Sequence, residues 1–262
     1  MVFFRRIYSI YGTIIFILSF VLLLPLFLIT IEIPGLKKYG RRLNGIWSRI
    51  FFTGLFIRVK VENRHLLRSH KQYIIIANHF SYLDIPVIGL MSKDAMFIGK
   101  SSLGKVPLFG YMFRRLHIAV NRSSFRSRGE TLKRTMEAID QGSSIIIFPE
   151  GGIRTTQAPQ MADFKDGAFN IAFEKQIPVI PVTLSYNHLI LPDDNKFLLN
   201  YKPVKVVIHP PVFPKGETKQ AIAEMKASCF NLIQEQLWKD NGGKADQHSD
   251  LTTTQKNINH ED

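Results

Sequence analysis

The chain has 262 residues, 45% of them hydrophobic, and a formal net charge of +13 from 34 Lys and Arg against 21 Asp and Glu. That length supports one sizeable core with additions at its ends. The one cysteine, Cys229, excludes an internal disulfide framework and a multi-cysteine zinc site, and fits a reducing compartment.

The basic excess is concentrated. Residues 1–72 carry twelve Lys and Arg against two acids, and residues 93–134 carry ten against two. Two basic zones point to an anionic surface or ligand. The first is interleaved with apolar sequence, which suits an acidic membrane better than nucleic acid.

In chain order, residues 7–31 hold no charged side chain, and that length is enough to cross a hydrocarbon core. The stretch is too long for a signal peptide and lacks a small-residue cleavage site. Pro25 should kink a helix there. A second helix is expected over residues 43–57, with Ile46, Trp47, Ile50, Phe51, Leu55 and Phe56 on a wide apolar face. It reads as interfacial, with Trp47 as anchor and basic side chains snorkelling. Either residues 7–31 span the bilayer or the two segments form a hairpin dipped into one leaflet. The positive charge that follows residue 31 puts the bulk of the protein on the cytoplasmic face of the cell membrane. The expected plan is a membrane-anchoring segment over 1–55, a folded domain over 56–238 and a disordered polar tail over 239–262.

Phe56–Val61 alternates as a half-exposed strand, and Tyr73–Ala77 reads as a buried one. A helix should start at Asp84, with Asp84 as its N-cap and Pro86 in its first turn. Strands follow at Ala95–Lys100 and His117–Arg122, with broken helix or loop between them. Ser127 and Glu130 have the spacing of a capping box for a helix that stops at Gly142. Then come a buried strand over Ser143–Phe148, a helix over Asp163–Lys175, strands at Ile177–Leu184 and Val204–Ile208, and a helix over Thr218–Trp238. The alternation implies an α/β fold, a mixed and largely parallel sheet flanked by helices. Neither G-x-G-x-x-G nor a Walker loop is present.

Polar residues gather at the expected strand ends. His79 follows the first buried strand and Asp84 lies five positions on. A carboxylate folded back onto one ring nitrogen fixes the tautomer and frees the other nitrogen to take a proton from a hydroxyl. Lys100 and Arg122 end strands, and Glu150, Gly151 and Arg154 sit in a glycine-bearing loop after another. In an open α/β sheet this edge is where ligands bind.

The segment Asn78-His79-Phe80-Ser81-Tyr82-Leu83-Asp84 resembles the N-H-x-S-x-x-D block of the glycerolipid acyltransferases, the lysophosphatidate acyltransferase family. Lys100–Gly110 closing with Asn121-Arg122 is similar to the family's second block, Phe148-Pro149-Glu150-Gly151 to its third, and Ile177–Val182 to its fourth. Phe164-Lys165-Asp166-Gly167-Ala168 also resembles a family segment. The resemblance covers about residues 55–210. One departure is that Arg154 stands one position later than the arginine of F-P-E-G-T-R-S.

The resemblance implies transfer of a fatty acyl group from acyl-carrier protein or coenzyme A to the sn-2 hydroxyl of 1-acyl-glycerol-3-phosphate, giving phosphatidic acid. His79 would be the general base and Asp84 its orienting carboxylate. Lys100, Arg122 and Arg154 would meet phosphate, Gly151 would lie in the same substrate-binding loop, and Glu150 would orient a cationic neighbour or a glycerol hydroxyl. Ser81 would make a local hydrogen bond. No metal, cofactor or nucleic-acid partner is implied. The helix bearing Arg126, Arg128, Lys133 and Arg134 offers a docking face for an acidic carrier protein, or a solvated or lipid-facing one. Two other readings remain open: another lyso-lipid acceptor, or an inactive membrane-anchored lipid-binding protein.

Overall fold

The computed structural model describes residues 2–68, 70–91, 94–121, 125–155, 157–216 and 219–243. Its centre is β2 (Ile74–Ala77), an unbroken run of fully buried residues. Around it stand β1 (Val59–Glu62), β3 (Met96–Lys100), β4 (Ile118–Val120), β5 (Ile145–Ile147), β6 (Val179–Leu184) and β7 (Val204–Ile208), in the order β1-β7-β6-β2-β5-β3-β4. Every pairing is parallel except β6 with β7. This is the mixed, largely parallel sheet expected from the sequence.

Period-two alternation splits the sheet's side chains between two layers. Ile75 and Ala77 face one core, built with Phe51, Phe52, Leu55 and Val87. Ile74 and Ile76 face the other, closed by α5 (Phe125–Asp140), α6 (Gly167–Lys175) and α8 (Lys219–Asn241) through Ile139, Phe169 and Ile233. Cys229 lies in this second core as a packing residue.

The first two helices are longer than expected or begin earlier. α1 runs Val2–Glu32 with Pro25 inside it, and α2 runs Lys37–Gly54. α1 is the one described helix long and apolar enough to cross a membrane, yet both of its ends are fastened to the same body. Near its start, Arg5 donates to the Leu198 carbonyl at 3.1 Å and Ser9 Oγ accepts the Leu199 N–H at 2.7 Å. Near its end, Phe27 and Ile31 pack on Met112 and Leu116 of α4 (Phe109–Leu116), and Glu32 meets Tyr111 and Arg115. Gly12 permits this fit, because a Cβ there would come within 2.5 Å of Leu199.

Trp47 is not an interfacial anchor. Its ring is buried against Phe16, Phe20 and Phe109, and its Nε1 donates to Ser19 Oγ at 3.0 Å. It pins α2 to α1, and protein covers Trp47, Phe51 and Leu55 of the apolar face that the sequence assigned to lipid, while Ile46 and Phe56 stay exposed. The boundary drawn at residue 55 therefore cuts through a continuous core, since Phe51, Phe52 and Leu55 pack with the sheet.

Other boundaries also move. α3 (Asp84–Gly89) starts at Asp84, but the Asp84 side chain caps no N–H of its own helix. It turns back onto the preceding loop. α5 begins at Phe125, upstream of Ser127, so Ser127 is a first-turn residue and not a cap; Glu130 pairs with Arg126 at 3.2 Å. α6 begins at Gly167, not Asp163. α8 extends to Asn241 because Asp240 bonds Lys205 Nζ at 2.7 Å and Ser185 Oγ at 2.6 Å. Residues 239–241 thus belong to the folded unit, and residues 244–262 lie outside the described residues.

Candidate active site

Five strands, β6, β2, β5, β3 and β4, run in one direction and deliver their carboxyl ends to one edge of the sheet. His79 comes two residues after β2, Glu150 three after β5, and Lys100 ends β3. The fourth contributor is α7 (Asn187–Ile190), which starts three residues after β6.

The loop after β2 is tied down from within. The Asn78 amide spans to β6, donating to the Leu184 carbonyl at 3.1 Å and accepting its N–H at 2.8 Å. Ser81 Oγ donates to the Leu191 carbonyl at 2.8 Å and accepts the Leu83 N–H at 3.1 Å. Its hydroxyl is fully engaged in local structure, as the sequence suggested, and is not poised as a nucleophile.

Asp84 is fully buried and receives four donors. Oδ2 accepts from His79 Nδ1 at 2.9 Å and from the N–H groups of Phe80 and Ser81 at 2.8 and 2.9 Å. Oδ1 accepts from Asn187 Nδ2 at 2.8 Å. Such a set stabilises an ionised carboxylate. An ionised carboxylate only accepts, so His79 Nδ1 carries the proton and Nε2 keeps its lone pair. The imidazole is stacked on the Phe148 ring, with centroids 4.1 Å apart and planes 16° from parallel.

Glu150 is also fully buried, and it does not line the cavity in front of His79. Oε1 accepts the His79 N–H at 2.7 Å and Oε2 the Ala162 N–H at 3.0 Å. Burial pushes its carboxyl up to about 7, against the pull of those two donors. The structure thus corrects the expected contact with a cation or a glycerol hydroxyl. Glu150 is a strut that fixes the backbone of the histidine. Gly151 is held at φ +85°, a backbone conformation that strains any residue bearing a Cβ, and a Cβ there would also displace the end of the Lys165 side chain, 2.8 Å away.

A cavity of about 700 Å³ opens in front of His79. Lys100, Gly151 and Arg154 share its lining with His79, and Leu103 and Phe113 extend it with apolar surface. Both cations are exposed. Arg122, expected beside them, lies outside the described residues. Among the described residues no three His, Cys, Asp or Glu side chains converge to hold a metal ion.

Two contributors escaped the sequence reading. Phe148 was read as the last residue of a buried strand and as part of a motif, but its contact with His79 was not foreseen. Asn187 had no local signal at all, being an isolated amide after a buried strand.

The acyltransferase family model matches residues 58–185. A 1-acyl-sn-glycerol-3-phosphate acyltransferase of Haemophilus influenzae is 30% identical over 188 residues, covering 68% of this chain and 75% of that protein. A chloroplastic enzyme of the same description from Arabidopsis thaliana is 29% identical over 181 residues, covering 68% of this chain. The chain spans about half the length of that Arabidopsis relative. The crystal structure of the 1-acyl-sn-glycerophosphate acyltransferase of Thermotoga maritima superposes with a TM-score of 0.74 at 24% identity, covering 90% of this chain and 97% of that one. At that identity the likeness speaks for the fold.

Proposed function

The chain belongs to the acyltransferase family, and from that premise we propose that it transfers a fatty acyl group from a thioester to the sn-2 hydroxyl of 1-acyl-glycerol-3-phosphate. One observation carries the reading. A histidine locked to a buried carboxylate through Nδ1 leaves Nε2 free, in a cavity that also holds Lys100 and Arg154.

His79 Nε2 takes the hydroxyl proton as the oxygen attacks the thioester carbonyl. The imidazolium that forms is stabilised by Asp84, and its proton passes to the departing thiolate. The acyl C–S bond breaks, the ester C–O bond forms, and no acyl-enzyme is needed. Lys100 and Arg154, joined by Arg122, hold the phosphate monoester. Gly151 lets the loop approach the substrate closely, and the apolar wall at Leu103 and Phe113 meets acyl chain. The donor is acyl-carrier protein or coenzyme A. A carrier would dock on α5, although Arg126 and Lys133 are already paired with Glu130 and Glu137 along that helix, and the Arg128 side chain lies outside the described residues. The product is phosphatidic acid, a phospholipid precursor.

The same reading seats the protein on the cytoplasmic face of the membrane, with α1 and α2 as a hairpin in one leaflet. The exposed side of α1 carries Ile10, Ile17, Leu22 and Ile29 between its two ends, apolar surface of the kind that lipid covers.

The test is acyl transfer by detergent-solubilised protein, with labelled carrier-protein and coenzyme A donors, a panel of lyso-lipids, and His79→Ala as control. Phosphatidic acid formed from lysophosphatidate and lost in the variant is expected. Preference for another lyso-lipid would overturn the acceptor assignment. Equal inertness of both proteins on every acceptor would leave a lipid-binding protein as the better account.

A further inference from the structure

We propose that Arg49, Arg58 and Arg64 form a site for the phosphate of an anionic phospholipid headgroup, separate from the catalytic cavity. The three come from different segments: α2, the lead-in to β1, and the 3-10 turn after β1. They line one cavity of about 300 Å³ with Phe52, Thr53 and Val59. Among the described residues no carboxylate lines it, and it shares none with the cavity of His79. All three arginines are exposed, and among the described residues none is in an ion pair. Arg64 Nη2 donates to the Leu90 carbonyl at 2.9 Å, which holds that guanidinium in place. Three like charges gathered around one hollow repel, and an anion relieves that repulsion. Planar guanidinium forks fit phosphate oxygens well.

The surroundings favour a lipid over a free anion. Tyr11, Tyr8 and Tyr201 donate in turn to the carbonyls of Gly54, Leu55 and Phe56, ringing the end of α2 with aromatic side chains. Phe56 is turned outward at φ +57° and is 73% exposed, two residues before Arg58. Amphipathic rings and an exposed phenylalanine mark the headgroup level of a bilayer. The inference rests on the interfacial seating proposed above.

The experiment is co-sedimentation of the full chain with phosphatidylcholine vesicles, with and without phosphatidylglycerol. The wild type should prefer the anionic vesicles. The combined Arg49→Gln, Arg58→Gln and Arg64→Gln variant should lose that preference by on the order of tenfold. A control with Arg6→Gln, Lys37→Gln and Lys38→Gln removes equal charge from the hairpin and should lose far less. Equal loss in both variants overturns the site in favour of diffuse attraction. Inorganic phosphate that competes the wild type off anionic vesicles at low concentration overturns the lipid in favour of a free anion. Absence of wild-type binding to either vesicle overturns the seating together with the site. Acyl transfer in detergent, expected at the wild-type level in both variants, confirms their folding independently of lipid binding.

Discussion

Asn187 Nδ2 donates to Asp84 Oδ1 at 2.8 Å, joining the first residue of α7 to the first residue of α3. The other carboxylate oxygen is occupied by His79 and two backbone N–H groups. Among the described residues Asn187 is therefore the one side-chain donor to Oδ1. Asn187→Leu leaves that oxygen buried without its donor, at about 1–3 kcal/mol. We expect kcat to fall on the order of tenfold to a hundredfold with KM little changed. In Asn187→Asp the donor becomes a second carboxylate, whose added negative charge favours the imidazolium, and the acid limb of the kcat profile moves to higher pH. Steady-state kinetics across pH reads both, and an unaltered profile in the aspartate variant would falsify the positioning role.

The Phe148 ring is a second device for aiming the imidazole. Stacked contacts of this kind are worth about 0.5–1.5 kcal/mol beyond area burial. Phe148→Leu keeps apolar bulk and loses the face that lies against His79. A drop in kcat of about three- to tenfold is expected, with little change in KM. If the variant loses stability while kcat holds, the ring is packing and nothing more.

Lys100 and Arg154 should act on binding. Both line the His79 cavity and both are exposed, so neither is needed for folding. Lys100→Ala and Arg154→Ala should each raise KM for the phosphate-bearing acceptor by about tenfold, the value of one charge-assisted hydrogen bond. The discriminating measurement is the KM for an acceptor without phosphate, which should not move. A parallel rise for both acceptors would mean that the cations shape the cavity without reading its charge.

Glu150 makes a pH prediction with a definite sign. Its carboxyl is raised from 4.5 to about 7 by burial. The native state thus holds the proton more tightly than the unfolded chain. The resulting stability is fully present below about pH 4.5 and is lost as pH rises through about 7, by about 3 kcal/mol. Urea midpoints measured between these limits should fall with rising pH in the wild type. In Glu150→Gln the fall should shrink, even though one of the two backbone bonds is lost and the variant is less stable throughout. Equal slopes in both proteins would remove the assignment.

What could be read beforehand follows the range of the interactions. The His79–Asp84 couple spans five residues, and a turn between a strand and a helix brings it together. The sheet order places Lys100 and Glu150 on the same edge once strand ends are known. Glu150 was misread because the sequence shows a carboxylate in a glycine loop but not its burial against two N–H groups. Trp47 was misread because an amphipathic face does not say whether lipid or protein covers it. Ser127 was misread because the helix begins two residues earlier, at Phe125. Asn187 acts across 103 residues, and nothing near it in the chain announces its partner.

The geometry of α1 bears on the choice between spanning and dipping. A helix of 31 residues is about 46 Å long, more than a hydrocarbon core requires. Yet Arg5 and Ser9 bond the loop at Leu198 and Leu199, while Glu32 meets Tyr111 and Arg115 of α4. A spanning helix would pull one of these ends to the far side of the bilayer, at the cost of those bonds and of the buried contacts of Phe27 and Ile31. Single cysteines at Phe4 and Ile33, both exposed, give the test. Native Cys229 adds no background, because it is buried and its thiol is pushed up to about 12. In sealed inverted vesicles an impermeant maleimide should reach both positions, and in right-side-out vesicles neither. Labelling of Phe4→Cys and Ile33→Cys from opposite faces would establish a span and break the hairpin reading.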